Sequence, residues 1–351
     1  PILYIGGGVL LSGASQEVRE LAEMTQIPVD STLMALGSFP GNHPLSLGML
    51  GMHGSYVANM AMHYSDLVIA IGARFDDRVT GKVSEFCPGA KVIHIDIDPT
   101  SIRKNIQVDI PIVGDCKCVL QELNSMLRAT VNGNQKELRK PWWDQLNEWR
   151  TKHPLKYEQD PKQLIKPQYL IDRVYQLTKD RDPILSTDVG QHQMWAAQYF
   201  DFREPRLWMT SGSMGTMGFG LPAAIGAQFG RPDRLVIDVD GDASIRMNLG
   251  ELETVTTYGL PIKVLILNNY GDGMVMQWQR LFFKGRLSGS DKSLRKKDFV
   301  ETARADGFEY AERLNRKQDV PKMLKDFLSF DGPAFLEVII CLLYTSDAAD
   351  E

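Results

Sequence analysis

The sequence predicts an α/β protein of two doubly wound parallel-sheet domains. Three observations carry that reading. Short apolar runs alternate with segments of helical period along nearly the whole chain. The alternation is interrupted once, by a polar, tryptophan-bearing stretch at residues 131–166. The apolar runs end in glycines, acids and amides, and parallel sheets bind ligands beyond the carboxyl ends of their strands.

In the first domain, residues 1–130, apolar runs at Ile2–Ile5, Leu67–Ile71, Val92–Ile97 and Ile110–Val113 read as strands, with a shorter one at Ile27–Val29. Helical periodicity places helices at Gln16–Met24, Tyr56–His63 and Val119–Leu127. The strands end in Gly6-Gly7-Gly8, Gly72-Ala73-Arg74, Asp96-Ile97-Asp98 and Gly114-Asp115. Glycines let a pyrophosphate approach the backbone, and acids at strand ends hold ribose or ribityl hydroxyls. The glycines alone are a weak signal. Gly6, Gly8 and Gly13 do not fit G-x-G-x-x-G, and a plain turn explains them as well as a dinucleotide. The several strand ends together favour a nucleotide cofactor. Two further stretches stay open: His53, in the glycine-rich loop Leu50–Ser55, and the charged run Arg74-Phe75-Asp76-Asp77-Arg78. A backbone-bonded histidine and a solvated turn account for them as well as ligand contacts do.

In the linker, Asn132-Gly133-Asn134 breaks the pattern, and Pro141 opens an amphipathic helix carrying Trp142, Trp143 and Trp149. These tryptophans are expected to pin the segment to a domain surface. The second domain, residues 167–340, resumes with helices at Tyr169–Leu177 and Gln193–Phe200 and strands at Ile184–Ser186 and Leu207–Thr210. A glycine-rich turn, Ser211–Gly218, opens a small-residue helix, Leu221–Gly226, suited either to a flat ligand or to tight packing on the sheet. After the unit described next come a helix from Met274, a basic loop from Lys284 to Lys297, helices at Phe299–Ala305 and Val320–Phe327, and a strand at Ala334–Ile340. The tail Cys341–Glu351 breaks the pattern and reads as non-native.

The most informative stretch runs from Arg234 to Gln279. An apolar run, Leu235–Val239, ends in Asp240-Gly241-Asp242; a helical segment carries Leu249, Leu252 and Val255; a second run, Val264–Leu267, ends in Asn268-Asn269. A right-handed βαβ unit makes the two strands parallel, so Asp242 and Asn269 leave the sheet at one edge. A carboxylate and an amide oxygen suit magnesium, which fills its remaining positions with water and phosphate. The intervening turn is expected to present a helix N-terminus to the same phosphates. The unit reads as a diphosphate site.

Composition bounds the rest. The 351 residues suit two domains, and 43% hydrophobic with 24% charged is ordinary for a globular protein. A formal charge of −5 without a basic stripe argues against nucleic acid, and no apolar run approaches the ~20 residues of a membrane span. The four cysteines form no C-x-x-C pair and read as reduced thiols. The chain opens at Pro1 inside a strand, so it is expected to be part of a longer protein.

The pieces LGMLGMHGS, GARFDDRVTG, HIDIDPTSI, DVGQHQMWAAQ, GTMGFGLPAAIGAQ, GDASIRMN, LNN and GMVMQWQ make the chain, from Pro1 to about Ile340, resemble the catalytic large subunits of acetolactate (acetohydroxyacid) synthases. The GD…NN pair alone would mark any thiamine-diphosphate enzyme, pyruvate oxidase included. The resemblance implies a central FAD-binding domain followed by a thiamine-diphosphate-binding one. Asp242, Asn269 and the Gly271 carbonyl would hold magnesium. Gln191, His192, Gly215, Met217, Gly241, Ala243, Ser244 and Met274 would line the thiamine diphosphate, with the Gly215 carbonyl facing its aminopyrimidine and Met217 wedged beneath the bent cofactor. Gly7, Gly8, Leu33, His53, Gly54, Gly72, Arg74, Asp76, Asp96, Ile97 and Asp115 would contact FAD. Arg78 would hold the carboxylate of the second 2-oxoacid, and Trp278 would shape its pocket.

The reaction implied is decarboxylation of pyruvate and condensation of the remaining two-carbon unit with pyruvate or 2-oxobutyrate, in branched-chain amino-acid biosynthesis, with FAD structural. A catalytic homodimer and a small regulatory subunit are implied too. The compartment would be cytoplasm in a bacterium, and plastid or mitochondrion in a eukaryote. Three departures stand out. The upstream domain whose glutamate activates the cofactor is not in this sequence, so the fragment by itself is expected to turn over little. Asp272 puts a negative charge near the diphosphate, and the tail replaces the family's C-terminal lid.

Overall fold

The computed structural model describes residues 1–158 and 164–340; the tail Cys341–Glu351 lies outside the described residues. Among the described residues the chain forms two compact units, Pro1–Lys156 with Asp201–Arg206, and Tyr157–Phe200 with residues 207–340. Each is built on one six-stranded sheet whose neighbouring strands all run parallel.

In the first unit the strands are β1 (Ile2–Ile5), β2 (Val29–Ser31), β3 (Ser46–Met49), β4 (Leu67–Ile71), β5 (Lys91–Asp96) and β6 (Ile110–Val113). Their order is β3-β2-β1-β4-β5-β6, so the winding reverses between β1 and β4. Leu3 and Ile5 of β1 join one apolar cluster, while Ile2 and Tyr4 join the other, on the opposite face. Sheets covered on both faces need strands that are apolar throughout, and each fully buried Leu or Ile contributes about 1.5–3 kcal/mol. The helix Lys140–Lys152 has Pro141 in its first turn and fully buries Leu146. The Trp142 indole donates to the Pro1 carbonyl at 3.2 Å and that of Trp143 to the Gln26 carbonyl at 2.9 Å. Those two bonds fasten the helix to the first unit.

Three local differences from the sequence reading have physical reasons. β2 lies two residues further on than Ile27–Val29, because Pro28 has no N–H to donate to a ladder. The triple glycine is not a bare turn: it opens a helix, Gly7–Ser12, closed by Gly13 at φ 67°. β3 was not legible as a strand; it is an edge strand, where a continuous apolar run is not required.

In the second unit the strands are β7 (Ile184–Thr187), β8 (Trp208–Thr210), β9 (Val236–Gly241), β10 (Lys263–Asn268), β11 (Tyr310–Leu314) and β12 (Ala334–Ile339), in the order β11-β12-β10-β9-β7-β8. The winding reverses between β7 and β9, which places the ligand crevice beyond their carboxyl ends. β11, like β3, is an edge strand missed by periodicity. The core holds several buried polar groups. Glu337 accepts from Arg313 Nε and from Asn268 Nδ2, both at 2.6 Å, and Lys263 donates to the Phe330 and Gly332 carbonyls. Gly220 explains its own lack of a side chain: a Cβ there would lie 2.7 Å from the Asp188 nitrogen and 2.8 Å from Asp238 Oδ1. Tight packing on the sheet accounts for that glycine.

Asp238 is fully buried and neither carboxylate oxygen has a partner among the described residues. Burial, and then the charge of Asp188, pushes its pKa well above the usual carboxylate range. The folded state therefore holds this proton more tightly than the unfolded chain, in which an Asp titrates at about 3.9. The stability linked to it is complete below that pH and is lost as pH rises through the raised folded value. Asp238→Asn, which cannot ionise, is expected to flatten the fall in stability between pH 5 and pH 8. It should raise Tm at pH 8 by about 2–4 °C per kcal/mol recovered, as read by thermal melts at both pH values.

Candidate active site

Beyond the ends of β7, β9 and β10 lies a cavity of about 200 Å³. Asp188, at the end of β7, anchors its floor without facing it: Oδ2 accepts from the Gly218 and Gly220 N–H groups at 2.7 and 3.1 Å, and Oδ1 from Val189 N–H at 2.6 Å. This ties the Gly215–Gly218 turn to the start of the helix Gln191–Tyr199. At the end of β9, Asp240 Oδ1 accepts from Gly241 N–H at 2.7 Å and from Ser244 Oγ. That pairing shapes the turn Gly241-Asp242-Ala243-Ser244. A Cβ on Gly241 would lie 2.8 Å from His192 Nδ1 and one on Gly190 2.9 Å from its Cε1, so the two glycines seat the imidazole. Burial keeps His192 neutral, pushing its pKa down to about 3, and Nε2 is buried without a partner among the described residues.

β9 and β10 are parallel neighbours, so Asp242 and Asn269 do emerge side by side: Asn269 N–H donates to Asp242 Oδ1 at 3.3 Å. Gly271 N–H in turn donates to Asn269 Oδ1 at 3.2 Å. The expected helix after Asp242 does not start at the turn. Asn248 Nδ2 reaches back to the Gly218 carbonyl at 2.5 Å, a short 3₁₀ turn occupies Ile245–Met247, and the helix begins only at Glu251. The helix N-terminus at the cavity belongs instead to Gly273–Phe282. Gly273 is needed there, since a Cβ would lie 2.2 Å from Gln191 Oε1 and 2.6 Å from Asn269 Nδ2.

All eleven second-unit residues assigned from the sequence to thiamine diphosphate and its metal line this one cavity: Gln191, His192, Gly215, Met217, Gly241, Asp242, Ala243, Ser244, Asn269, Gly271 and Met274. Leu267, Val275 and Ile340 add apolar surface, Asp272 lies at the cavity as its place in the sequence suggested, and Val189, Gly190 and Gly273 were not anticipated. Trp278 is not among the lining residues; it packs on Phe282 with ring centroids 4.9 Å apart. The charge on Asp272 is balanced by Lys292, whose Nζ lies 3.2 Å from Oδ2. Arg295 was not anticipated either. Its guanidinium donates through Nη1 to the Asp242 carbonyl at 2.6 Å and through Nη2 to Asp242 Oδ2. Burial raises the Asp242 pKa, and the hydrogen bond and charge of Arg295 oppose that rise.

In the first unit, the residues assigned to FAD all follow the carboxyl ends of the six strands of one sheet. Gly7 and Gly8 follow β1, Leu33 β2, His53 and Gly54 β3, Gly72, Arg74 and Asp76 β4, Asp115 β6; Asp96 and Ile97 are at the end of β5. Several already have structural work. Gly8 and Gly72 press against each other, a Cβ on Gly8 lying 2.7 Å from Gly72 Cα. Gly54 abuts the Leu50 backbone, Asp115 Oδ1 caps the helix Cys116–Thr130, and Asp96 Oδ1 accepts from Asp98 N–H. Arg74 pairs with Asp76 at 2.8 Å, and Arg78, on the short helix Asp77–Thr80, pairs with Asp77 at 3.4 Å. Burial, and then the Arg78 charge, lowers the His53 pKa, and Ile97 is exposed.

Residues 1–123 match the family model of the thiamine pyrophosphate enzyme central domain, and residues 188–338 that of the C-terminal thiamine pyrophosphate binding domain. The chain belongs to the thiamine pyrophosphate enzyme family. Within that family it is homologous to acetolactate synthase large subunits. It is 51% identical over 290 residues to the one from Buchnera aphidicola subsp. Schlechtendalia chinensis, covering 83% of this chain and 50% of the relative. Identity is 47% over 308 residues to the isozyme 3 large subunit of Escherichia coli K12, covering 88% and 53%. It is 46% over 346 residues to acetolactate synthase 1, chloroplastic, of Nicotiana tabacum, covering 97% and 51%. The chain thus spans about half the length of these relatives. Among the described residues no helix is long and apolar enough to cross a membrane. Cys87, Cys116 and Cys118 are free thiols.

Proposed function

We propose that the protein carrying this chain is a thiamine-diphosphate-dependent carboligase. It decarboxylates pyruvate and joins the two-carbon remainder to pyruvate or 2-oxobutyrate, giving 2-acetolactate or 2-aceto-2-hydroxybutyrate for branched-chain amino-acid synthesis. The observation that supports it most is the convergence of the eleven lining residues on one cavity at the winding reversal of the second sheet.

The residues present fit the cofactor and its metal. A cationic side chain already lies against Asp242, so the carboxylate attracts positive charge. Asp242, the Asn269 amide oxygen and the Gly271 carbonyl form an all-oxygen set of one carboxylate and two neutral donors, suited to magnesium shared with a diphosphate. The N-terminus of the helix Gly273–Phe282, worth roughly half a positive charge, favours the same anion. Bound thiamine diphosphate supplies the nucleophilic carbon and the electron sink for decarboxylation. The chain's own part is to orient and to exclude water. The Gly215 carbonyl would accept from the aminopyrimidine, Met217 would support the cofactor's rings, and His192, kept neutral by burial, would lie beside the anion. Gly215 at φ 64° holds a left-handed backbone that favours glycine. Holding the reacting groups in register is worth several kcal/mol of barrier, so a misplacement of about 1 Å costs roughly 100-fold in rate.

For the first unit we propose FAD along the carboxyl edge of the sheet. The reversal between β1 and β4 and the side chains of His53, Arg74, Asp76 and Asp96 support it, and its role is structural because the reaction has no net redox. The roles of Arg78 and Trp278 toward the second 2-oxoacid rest on the resemblance, as do a catalytic homodimer and a regulatory subunit. The test is acetolactate formation from pyruvate by the full-length protein, with thiamine diphosphate, magnesium and FAD left out in turn. Product without oxygen uptake supports the reading. Peroxide formation would mean an oxidase instead, and no product in the complete mixture would overturn the proposal.

A further inference from the structure

We propose that Arg295 is an internal cation that competes with the divalent ion for Asp242 and so sets the metal affinity of the site. The proposal rests on the reading of Asp242 as a metal ligand. Three features of the structure support it. Arg295 grips the backbone carbonyl of Asp242 at 2.6 Å as well as Oδ2 of its carboxylate, a two-point hold from one guanidinium. The pair is buried, with 9% of the Arg295 side chain and 1% of that of Asp242 exposed, so solvent screens it little. The other carboxylate oxygen, Oδ1, already accepts from Asn269 N–H at 3.3 Å. A cation that takes Oδ2 must therefore displace the guanidinium, and two positive charges against one carboxylate repel each other.

The surroundings allow that exchange. Arg295 Cζ lies 5.0 Å from the Phe299 ring centroid, an aromatic surface against which the guanidinium can remain after it leaves Asp242. Its segment is tied to the strip that bears Gly271. Lys292 N–H donates to the Tyr270 carbonyl at 2.8 Å, Asp272 N–H donates to the Ser290 carbonyl at 2.9 Å, and Gly271 bridges Asp291. Loss of the Arg295 contact thus leaves the third oxygen donor supported. Arg295 is a positioning residue in this scheme: it tunes the affinity for the ion without touching the reaction.

The test uses the full-length protein with saturating thiamine diphosphate and Mn²⁺ as the probe, free Mn²⁺ being counted by electron paramagnetic resonance. Arg295→Gln is expected to bind Mn²⁺ at least about tenfold more tightly than the unaltered protein. Arg295→Lys keeps the charge but loses the two-point hold, and should tighten binding by about threefold. Lys296→Gln, a change of charge nearby in the segment, should leave the dissociation constant unaltered. Unchanged or weaker Mn²⁺ binding in both Arg295 variants overturns the proposal, since an arginine that merely braced the loop or held phosphate would give that result. Asp242→Asn separates the two readings. If it abolishes Mn²⁺ binding while the Arg295 variants have no effect, competition alone fails; if it leaves binding intact, the metal site itself is misassigned.

Discussion

Asp242→Asn is expected to weaken thiamine diphosphate binding in the presence of magnesium by at least about 100-fold, a loss of roughly 2.8 kcal/mol. The substitution keeps the shape of the side chain and an acceptor oxygen but removes the charge that attracts the ion. Asp242 is the only carboxylate in the donor set, so neither Asn269 nor Gly271 can replace it. The fold should survive. Truncating one partner of a buried ion pair usually costs about 3–5 kcal/mol, because a charge is left stranded. Here the stranded group is Arg295, and the Phe299 ring, 5.0 Å from its Cζ, still holds the guanidinium and lessens the penalty. Calorimetric titration with cofactor, beside a thermal melt of the same sample, checks both halves. An affinity within threefold of the unaltered protein would remove Asp242 from the site.

The largest expected effect on stability lies in the first unit. A Cβ on Gly6 would sit 2.1 Å from the Gly72 carbonyl oxygen and 2.6 Å from Ala73 Cα. Both are backbone atoms, so no rotamer change relieves the clash; β1 and β4 would have to move apart at the winding reversal. Overpacking typically costs about 1–3 kcal/mol, and Gly6→Ala should reach or exceed the top of that range. Gly226→Ala provides the contrast. Gly226 lies inside the helix Gly220–Gly230, and a Cβ there would meet nothing within 4 Å. Alanine there should stabilise by about 0.5–1 kcal/mol through helix propensity alone. Urea denaturation of the two variants, followed by far-ultraviolet circular dichroism, would distinguish them. Equal behaviour would mean that the contact between Gly6 and Gly72 does not determine the packing.

The fold was legible wherever a strand is buried on both faces. β9 and β10 read as apolar runs because helices cover both sides of the sheet, and the amino-acid order alone places their polar ends at one edge. β3 and β11 were not legible, since Ser and Gly interrupt the one (SLGM) and Glu and Arg the other (YAERL), so neither stands out as an apolar run. The cavity was legible through motifs that lie at strand ends and turns. What spacing could not convey was how charges meet across the fold. Asp272 looks unfavourable beside a diphosphate in the sequence, yet in the fold Lys292 lies against it. Arg295 reads as one member of a basic loop, yet it reaches Asp242 from 53 positions away in sequence. The glycines after β1 were open between a plain turn and a ligand loop, and the fold adds a third use for them. Gly6 and Gly8 lie against Gly72 closely enough that neither position has room for a Cβ.

The central claim is that the cavity beyond β7, β9 and β10 holds thiamine diphosphate through a divalent ion on Asp242 and Asn269. Calorimetric titration of the full-length protein with thiamine diphosphate, once with magnesium and once with a chelator, tests it most directly. Saturable binding of one cofactor per chain that disappears with the chelator is the result expected. Binding of equal strength without any divalent ion would contradict the account.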